Sequence, residues 1–194
     1  MRELCNVESG IPSIPDKTVQ NTLLRKMMSI VPGERVPRHR LIRNLIEMGE
    51  FEKADTEIRI FEKDFERGDG PVARYKVSLL TTRAKMTAGI MEEDRLVILD
   101  QARALAQNSI RRFPFNKSLL SAYCDVGLEI YRRTGDSTVY DDAIAELRAA
   151  EEQIGDPDIP RLIARYESRI RWYAMDTADT GSMADITEEE LVSE

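Results

Sequence analysis

The chain has 194 residues, 42% of them hydrophobic, which is enough to bury the core of one soluble domain and excludes disorder throughout. Its 28 Lys plus Arg and 35 Asp plus Glu give a net charge of −7, and seven of those acids lie in residues 176–194, where there is no basic residue. The rest of the chain is therefore neutral. Cys5 and Cys124 lie too far apart for a disulfide framework or a thiolate zinc site, and His39 has no second histidine with which to bind a metal. No apolar run has the length of a signal peptide or a membrane span, so we expect a cytoplasmic protein.

The apolar residues from Val19 to Met175 follow a helical spacing, and no segment shows the alternation of a half-buried strand. Glycine and proline interrupt the pattern at intervals of helix length. This predicts an all-α protein with helices over residues 17–30, 36–48, 50–66, 71–88, 93–112, 116–134, 138–154 and 158–175. Short links between them make successive helices antiparallel neighbours.

Composition divides the chain into three parts. Residues 1–16 are predicted to be an extended N-terminal segment, and residues 17–175 a helical repeat domain. Residues 176–194 are acidic and have few apolar side chains, so we expect a tail that is disordered unless bound.

A pattern of small and aromatic residues recurs between the helices. In the first unit Gly49 permits a tight reversal, Phe51 fills the gap between two helices, and Ala54 lets the helices lie close together. Similar residues recur in two later units. They are Ala102, Ala106 and Pro114 in the second, and Gly127, Gly135, Tyr140 and Ala143 in the third.

This pattern over residues 36–154 resembles a divergent member of the tetratricopeptide repeat family, whose helix pairs of about 34 residues stack into a solenoid. The resemblance implies an α-solenoid of stacked antiparallel helix hairpins, with about three such units and a capping helix at 158–175. A compact helical bundle with accidental periodicity is the alternative. The basic clamp of the members that bind chaperone C-termini does not transfer, because His39 and Arg43 occupy its lysine and asparagine positions.

In that family ligands lie along the concave face, which the first helix of each pair forms. Carried over to this chain, the resemblance implies a peptide-binding groove that is basic at one end and mixed at the other. The residues that it places there are His39, Arg40, Arg43, Glu47, Lys76, Arg83, Asp125, Glu129, Arg132 and Arg133. An equal alternative for the arginines is that they are solvent-facing charges balanced along the helix, as Arg43 is by Glu47.

The sequence contains no motif that predicts catalysis. Nucleotide-binding glycine loops are absent, and the lone His39 between two arginines is interpreted as a solvated helix residue rather than a general base. Cys124 lies on an apolar helix face, where core packing is the expected role. We therefore expect a protein that is not an enzyme and needs no cofactor or metal.

The leading functional hypothesis is a protein-protein interaction module that binds an acidic partner peptide, and the chain would also fit the terminal region of a larger protein. The alternative is a helical repeat that binds nucleic acid through Arg35, Arg38, Arg40, Arg43 and the doublets Arg111-Arg112 and Arg132-Arg133. The neutral body and the acidic tail disfavour it. Self-association is a further expectation. The first helix resembles half a unit whose Leu23, Leu24 and Met27 need a cover.

The acidic tail could also occupy the groove. Its segment 185–192 interleaves acids with Ile186, Leu191 and Val192, as a groove-binding peptide would, although a tail that only adds solubility is equally compatible with the composition. The triplet Gly181-Ser182-Met183 resembles a cloning junction, so both a native and an appended tail stay open.

Overall fold

The computed structural model describes residues 13–64 and 70–184, and the side chains of residues 13–64 and 72–175. All regular secondary structure in these residues is helical, which confirms the predicted fold class. The helices of the described part are α1 (Lys17–Ile30), α2 (Arg35–Glu47), α3 (Phe51–Asp64), α4 (Gly70–Met86), α5 (Glu92–Arg112), α6 (Lys117–Thr134), α7 (Thr138–Ile154) and α8 (Asp158–Ala184).

Local sequence explains where several helices begin and end. Asp16 caps α1 by accepting a hydrogen bond from the backbone of Thr18, and Asn116 caps α6 through the backbone of Leu119. Helix α6 ends at Gly135, whose φ of +73° is a left-handed conformation that glycine adopts without strain.

Helix α8 is longer than predicted. It continues to Ala184, whereas the sequence pattern placed its end at 175 and disorder from 176 onward. The helix thus ends nine residues later than predicted. Few apolar residues mean little burial, but an existing helix gains one hydrogen bond for each residue that it adds, and no proline interrupts this stretch. Residues 185–194 lie outside the described part, as do residues 1–12 of the N-terminal segment.

The helices form an α-solenoid of stacked hairpins. Each helix packs against the next one along the chain, and the even-numbered helices also pack against one another, α2 with α4, α4 with α6 and α6 with α8. The hairpins are therefore α2/α3, α4/α5 and α6/α7, with α1 before the first and α8 as the predicted cap after the last. Ile163 and Tyr166 are buried and lie on the inner face of that capping helix.

Two hydrophobic clusters form the core, and both include residues of α4. One cluster joins α1 to α4 around Leu24, Leu41 and Phe61, and the other joins α4 to α8 around Leu99, Tyr123 and Leu147. The core is thus distributed along the stack, as expected for a repeat architecture in which each unit packs on its neighbours.

The small residues lie where the repeat pattern predicted them. Ala54, Ala102 and Ala143 are all fully buried. The closest approach of the third hairpin is at Gly127, where an added Cβ would lie 2.6 Å from the Cα atom of Tyr140. Helices α6 and α7 therefore touch backbone to backbone at this point.

The apolar residues of α1 that the sequence placed on an outer face, in need of cover by residues 1–14 or by another molecule, belong to the first core cluster. Leu24 and Met27 are buried, and Leu23 packs against the first core cluster. Because these residues are three and four positions apart, they share one stripe of the helix, and that stripe faces α2. The opposite side of α1 carries Thr22, Arg25 and Lys26, which are exposed.

Candidate functional site

A groove of about 820 Å³ crosses the even-numbered helices, and all of its lining residues belong to those four helices. Each helix contributes residues spaced three or four apart, which places them on one face. The lining residues are His39, Arg40, Arg43, Ile46 and Glu47 of α2; Arg74, Tyr75, Ser78 and Thr82 of α4; Lys117, Ser118, Ser121, Ala122 and Asp125 of α6; and Asp158, Leu162 and Arg165 of α8.

Half of the residues that the family resemblance placed in a groove line this one. His39, Arg40, Arg43 and Glu47 line it from α2, and Asp125 lines it from α6. The structure therefore brings these five residues together on one surface.

The residues predicted on α4 lie outside the groove. Lys76 pairs with Glu62 of α3 at 2.8 Å, and Arg83 is exposed on another side of the helix. The lining positions are Tyr75 and Thr82, each one residue earlier, and one residue is a rotation of about 100° around a helix. The structure thus places Lys76 and Arg83 one position away from the lining face of α4.

Glu129, Arg132 and Arg133 also lie outside the groove and belong to a structural ion network. Glu129 is 4% exposed and accepts hydrogen bonds from Arg132 at 2.7 Å and Arg133 at 2.8 Å. Lys85 of α4 lies 3.6 Å away, and Arg133 also binds Glu92 of α5. The network joins α4, α5 and α6. Arg132 and Arg133 therefore neutralise the buried charge of Glu129.

His39 is not the solvated residue that the sequence indicated. It is half-buried, its ring packs against Phe61 at a centroid distance of 4.7 Å, and its Nδ1 lies 3.0 Å from the hydroxyl of Tyr75. That hydroxyl also donates to the backbone carbonyl of His39 at 3.3 Å. The contact joins α4 to α2.

The same contact recurs between α8 and α6. The hydroxyl of Tyr166 donates to the backbone carbonyl of Ser121 at 2.8 Å and lies 2.8 Å from the Ser121 hydroxyl. Tyr166 therefore corresponds to Tyr75, and Ser121 corresponds to His39. Burial raises the pKa of both tyrosines, so both hydroxyls stay protonated as donors near neutral pH.

A sequence signal for this equivalence exists, although the repeat pattern above did not include it. Each tyrosine closes an Ala-Arg-Tyr triplet, at residues 73–75 and 164–166. The arginines of these triplets, Arg74 and Arg165, both line the groove, and each lies over the ring of its own tyrosine, at 4.3 Å and 5.2 Å. Sequence analysis missed both.

Charges differ between the two ends of the groove. At the α2/α4 end, Glu47 lies 2.5 Å from Lys17 and 3.7 Å from Arg43, while Arg74 contributes a further cation. At the α6/α8 end, Lys117 lies 2.8 Å from Asp156 and 2.9 Å from Asp158, and Arg169 lies 3.3 Å from Asp125. One end is basic and the other is mixed.

Three further features of the described part of the chain concern metal binding, membrane crossing and thiol reactivity. It holds no group of three or more His, Cys, Asp and Glu side chains arranged to bind a metal, and none of its helices is both long and apolar enough to cross a membrane. Cys124 is fully buried, as predicted, and burial raises the pKa of its thiol, which disfavours the reactive thiolate.

Comparison of the chain with family models, with curated proteins and with solved structures finds no match. The resemblance to the tetratricopeptide repeat family stays a prediction. Function must therefore be argued from the groove itself.

Proposed function

We propose that this protein is a non-enzymatic interaction module that binds an extended peptide segment of a partner protein in the groove between α2, α4, α6 and α8. One observation carries the proposal: every lining residue comes from the layer of even-numbered helices. A layer of stacked helices forms one continuous surface, which is how helical repeat proteins hold extended ligands.

The dimensions and lining suit a peptide. Packed helices lie about 8–10 Å apart, so four of them span roughly 25–30 Å, the length of about eight extended residues. Ser78, Ser118 and Ser121 supply hydroxyls along the two central helices, and such groups bond to either the N–H or the carbonyl of a peptide backbone. Arg40, Arg43 and Arg74 favour a ligand with acidic side chains at the α2/α4 end.

The alternative of nucleic-acid binding has less support. Arg132 and Arg133 are occupied by Glu129, and Arg38 lies 2.8 Å from Asp64. Arg111 and Arg112 lie at the end of α5, which contributes nothing to the groove. A phosphate backbone needs cations along one continuous surface, and these arginines do not provide one.

Selection of peptides from a random display library against the full chain tests the proposal, with Ser78→Trp as the blocking variant. Ser78 is a half-buried residue on the groove side of α4, and a tryptophan there would fill the channel. We expect selected peptides to lose at least tenfold in affinity for Ser78→Trp. Ser29→Trp, at an exposed serine of α1, should bind them as the wild type does. A selection that yields no binder, or binders indifferent to Ser78→Trp, would overturn the proposal.

A further inference from the structure

The two Arg-Tyr contacts place equivalent arginines in opposite electrostatic surroundings. Four residues after His39, one helical turn along α2, lies Arg43. Four residues after Ser121, at the corresponding position of α6, lies Asp125. Arg74 therefore shares its half of the groove with a cation, and Arg165 shares its half with a carboxylate.

Arg43 and Arg74 line the same half of the groove. The hydroxyl of Tyr75 donates to the backbone carbonyl of His39, one helical turn before Arg43, and so joins the two helices that carry these arginines. Arg74 rests on the ring of Tyr75 at 4.3 Å, which holds its planar group in a defined position.

The carboxylate that neighbours this pair is already shared. Glu47 lies 3.7 Å from Arg43 but only 2.5 Å from Lys17 of α1, and the Arg43 side chain is 63% exposed. A single carboxylate thus contacts both Lys17 and Arg43, and Glu47 is the only acid that α2 and α4 contribute to the described lining of the groove. At the other end, carboxylates already accompany the cations, since Lys117 contacts two of them and Asp125 lies beside Arg165 in the lining.

We propose that the groove is polarised, with Arg43 and Arg74 forming a subsite for the carboxylate side chains of an acidic peptide, and with the half around Arg165 receiving uncharged residues. This inference rests on the proposed function and names the ligand chemistry and its orientation. Two guanidiniums from different helices offer several N–H donors to one or two carboxylates, an arrangement that forms strong charge-assisted hydrogen bonds. Near Arg165, Asp125 and Asp158 are paired with Arg169 and Lys117, so the charges of this half are balanced and an incoming carboxylate gains little net attraction.

The equivalence of the two arginines supplies a matched pair of variants, Arg74→Gln and Arg165→Gln. Each removes one charge from a groove-lining arginine that lies over a tyrosine ring and leaves the tyrosine hydrogen bond in place. The probes are two synthetic ten-residue peptides of alanine and serine, one with three consecutive glutamates and the other with glutamines at those positions. Affinities are measured by fluorescence anisotropy with the full-length protein at low salt, and thermal melts followed by circular dichroism confirm that both variants fold.

We expect Arg74→Gln to weaken binding of the glutamate peptide about tenfold or more, a loss typical of one charge-assisted hydrogen bond, and to change binding of the glutamine peptide less than twofold. Arg165→Gln should change both affinities less than threefold. Binding of the glutamate peptide with equal losses in the two variants, or a larger loss in Arg165→Gln, would overturn the polarity and leave the peptide-binding proposal intact. If the wild type binds neither peptide and library selection also fails, the proposed function falls together with this inference.

Discussion

At the scale of single residues, we expect buried ion pairs to contribute more to the stability of this protein than exposed ones. Glu129 is the most fully neutralised acid described above, with two arginines and a lysine around a side chain that is 4% exposed. A buried carboxylate is costly unless it is paired, and removing one member of such a group leaves the others uncompensated. Glu62, which pairs with Lys76 while both side chains are 34% exposed, shows the contrasting surface case.

The pH dependence of stability should reflect this network. Burial alone would raise the pKa of Glu129. The hydrogen bond from Arg132 and the charge of Lys85 lower it, so that the net pKa lies below the ordinary value of a glutamate. A lowered folded-state pKa gives a stabilisation that is present above the unfolded pKa and is lost as pH falls through the folded value.

We therefore expect Glu129→Gln to lower the free energy of unfolding by about 1–3 kcal/mol at pH 7. The difference from the wild type should shrink as the pH approaches 3. Urea unfolding at a series of pH values measures this, with Glu62→Gln as the control, which we expect to cost less than about 1 kcal/mol. A deficit that is as large at pH 3 as at pH 7 would show that the charge of Glu129 is not what stabilises the network.

At the scale of helices, small residues set how closely the hairpins pack. Gly127 permits backbone contact between α6 and α7, since an added Cβ would meet both the N and Cα atoms of Tyr140 at 2.6–2.7 Å. Backbone atoms cannot move aside as a flexible side chain can. The two helices would have to separate, and the core residues between them would lose contact.

Gly127→Ala should therefore destabilise the fold by about 2–3 kcal/mol, near the upper end for overpacked cores, although alanine is the better helix former. Gly33→Ala is the matched control, because nothing lies within 4 Å of a Cβ at that position. We expect it to change stability by less than about 1 kcal/mol. Denaturant unfolding of both variants tests the close approach, and a Gly127→Ala protein as stable as the wild type would contradict it.

At the scale of the whole molecule, the length of α8 decides how the acidic tail can meet the groove. Nineteen residues of helix separate Arg165 from Ala184, a distance of about 28 Å. Glu188, Glu189 and Glu190 follow within six residues of Ala184, so they reach at most about 22 Å beyond it. A fully extended backbone therefore falls short of Arg165 by roughly 6 Å, a gap that the Glu and Arg side chains would have to bridge. Docking of this cluster within one molecule requires a fully extended tail, which favours docking onto a second molecule.

Removal of residues 185–194 tests this geometry, because a tail that competes for the groove would lower the affinity for acidic peptides and its loss would raise it. We now expect the increase only at protein concentrations high enough for molecules to meet, and a change below twofold at nanomolar protein, measured by anisotropy with the glutamate peptide. A full-length chain with Glu188, Glu189 and Glu190 changed to glutamine controls for tail length. A clear gain in affinity at nanomolar protein would indicate docking within one molecule.

The amino-acid pattern alone determined the fold class, nearly all helix bounds and the small residues at the helix contacts. These features depend on local rules: glycine and proline interrupt helices, asparagine and aspartate cap them, and alanine or glycine marks a close approach. The groove positions on α2 were implied by the family resemblance. Even so, the identity of the partner is not a local property, and it stays a proposal.

Only the tertiary structure decided which face of α4 meets the groove and which charges are already paired. A shift of one residue turns a helix by about 100°, so Lys76 and Arg83 resembled lining residues although Tyr75 and Thr82 take that place. From the sequence, Glu129 resembled a groove acid, because the sequence does not show that the fold brings Lys85 of α4 close to it. Hydrophobic spacing indicates which side of a helix is buried, but the partners of a polar side chain come from distant parts of the chain, and they determine whether its charge stabilises the fold or remains available to a ligand.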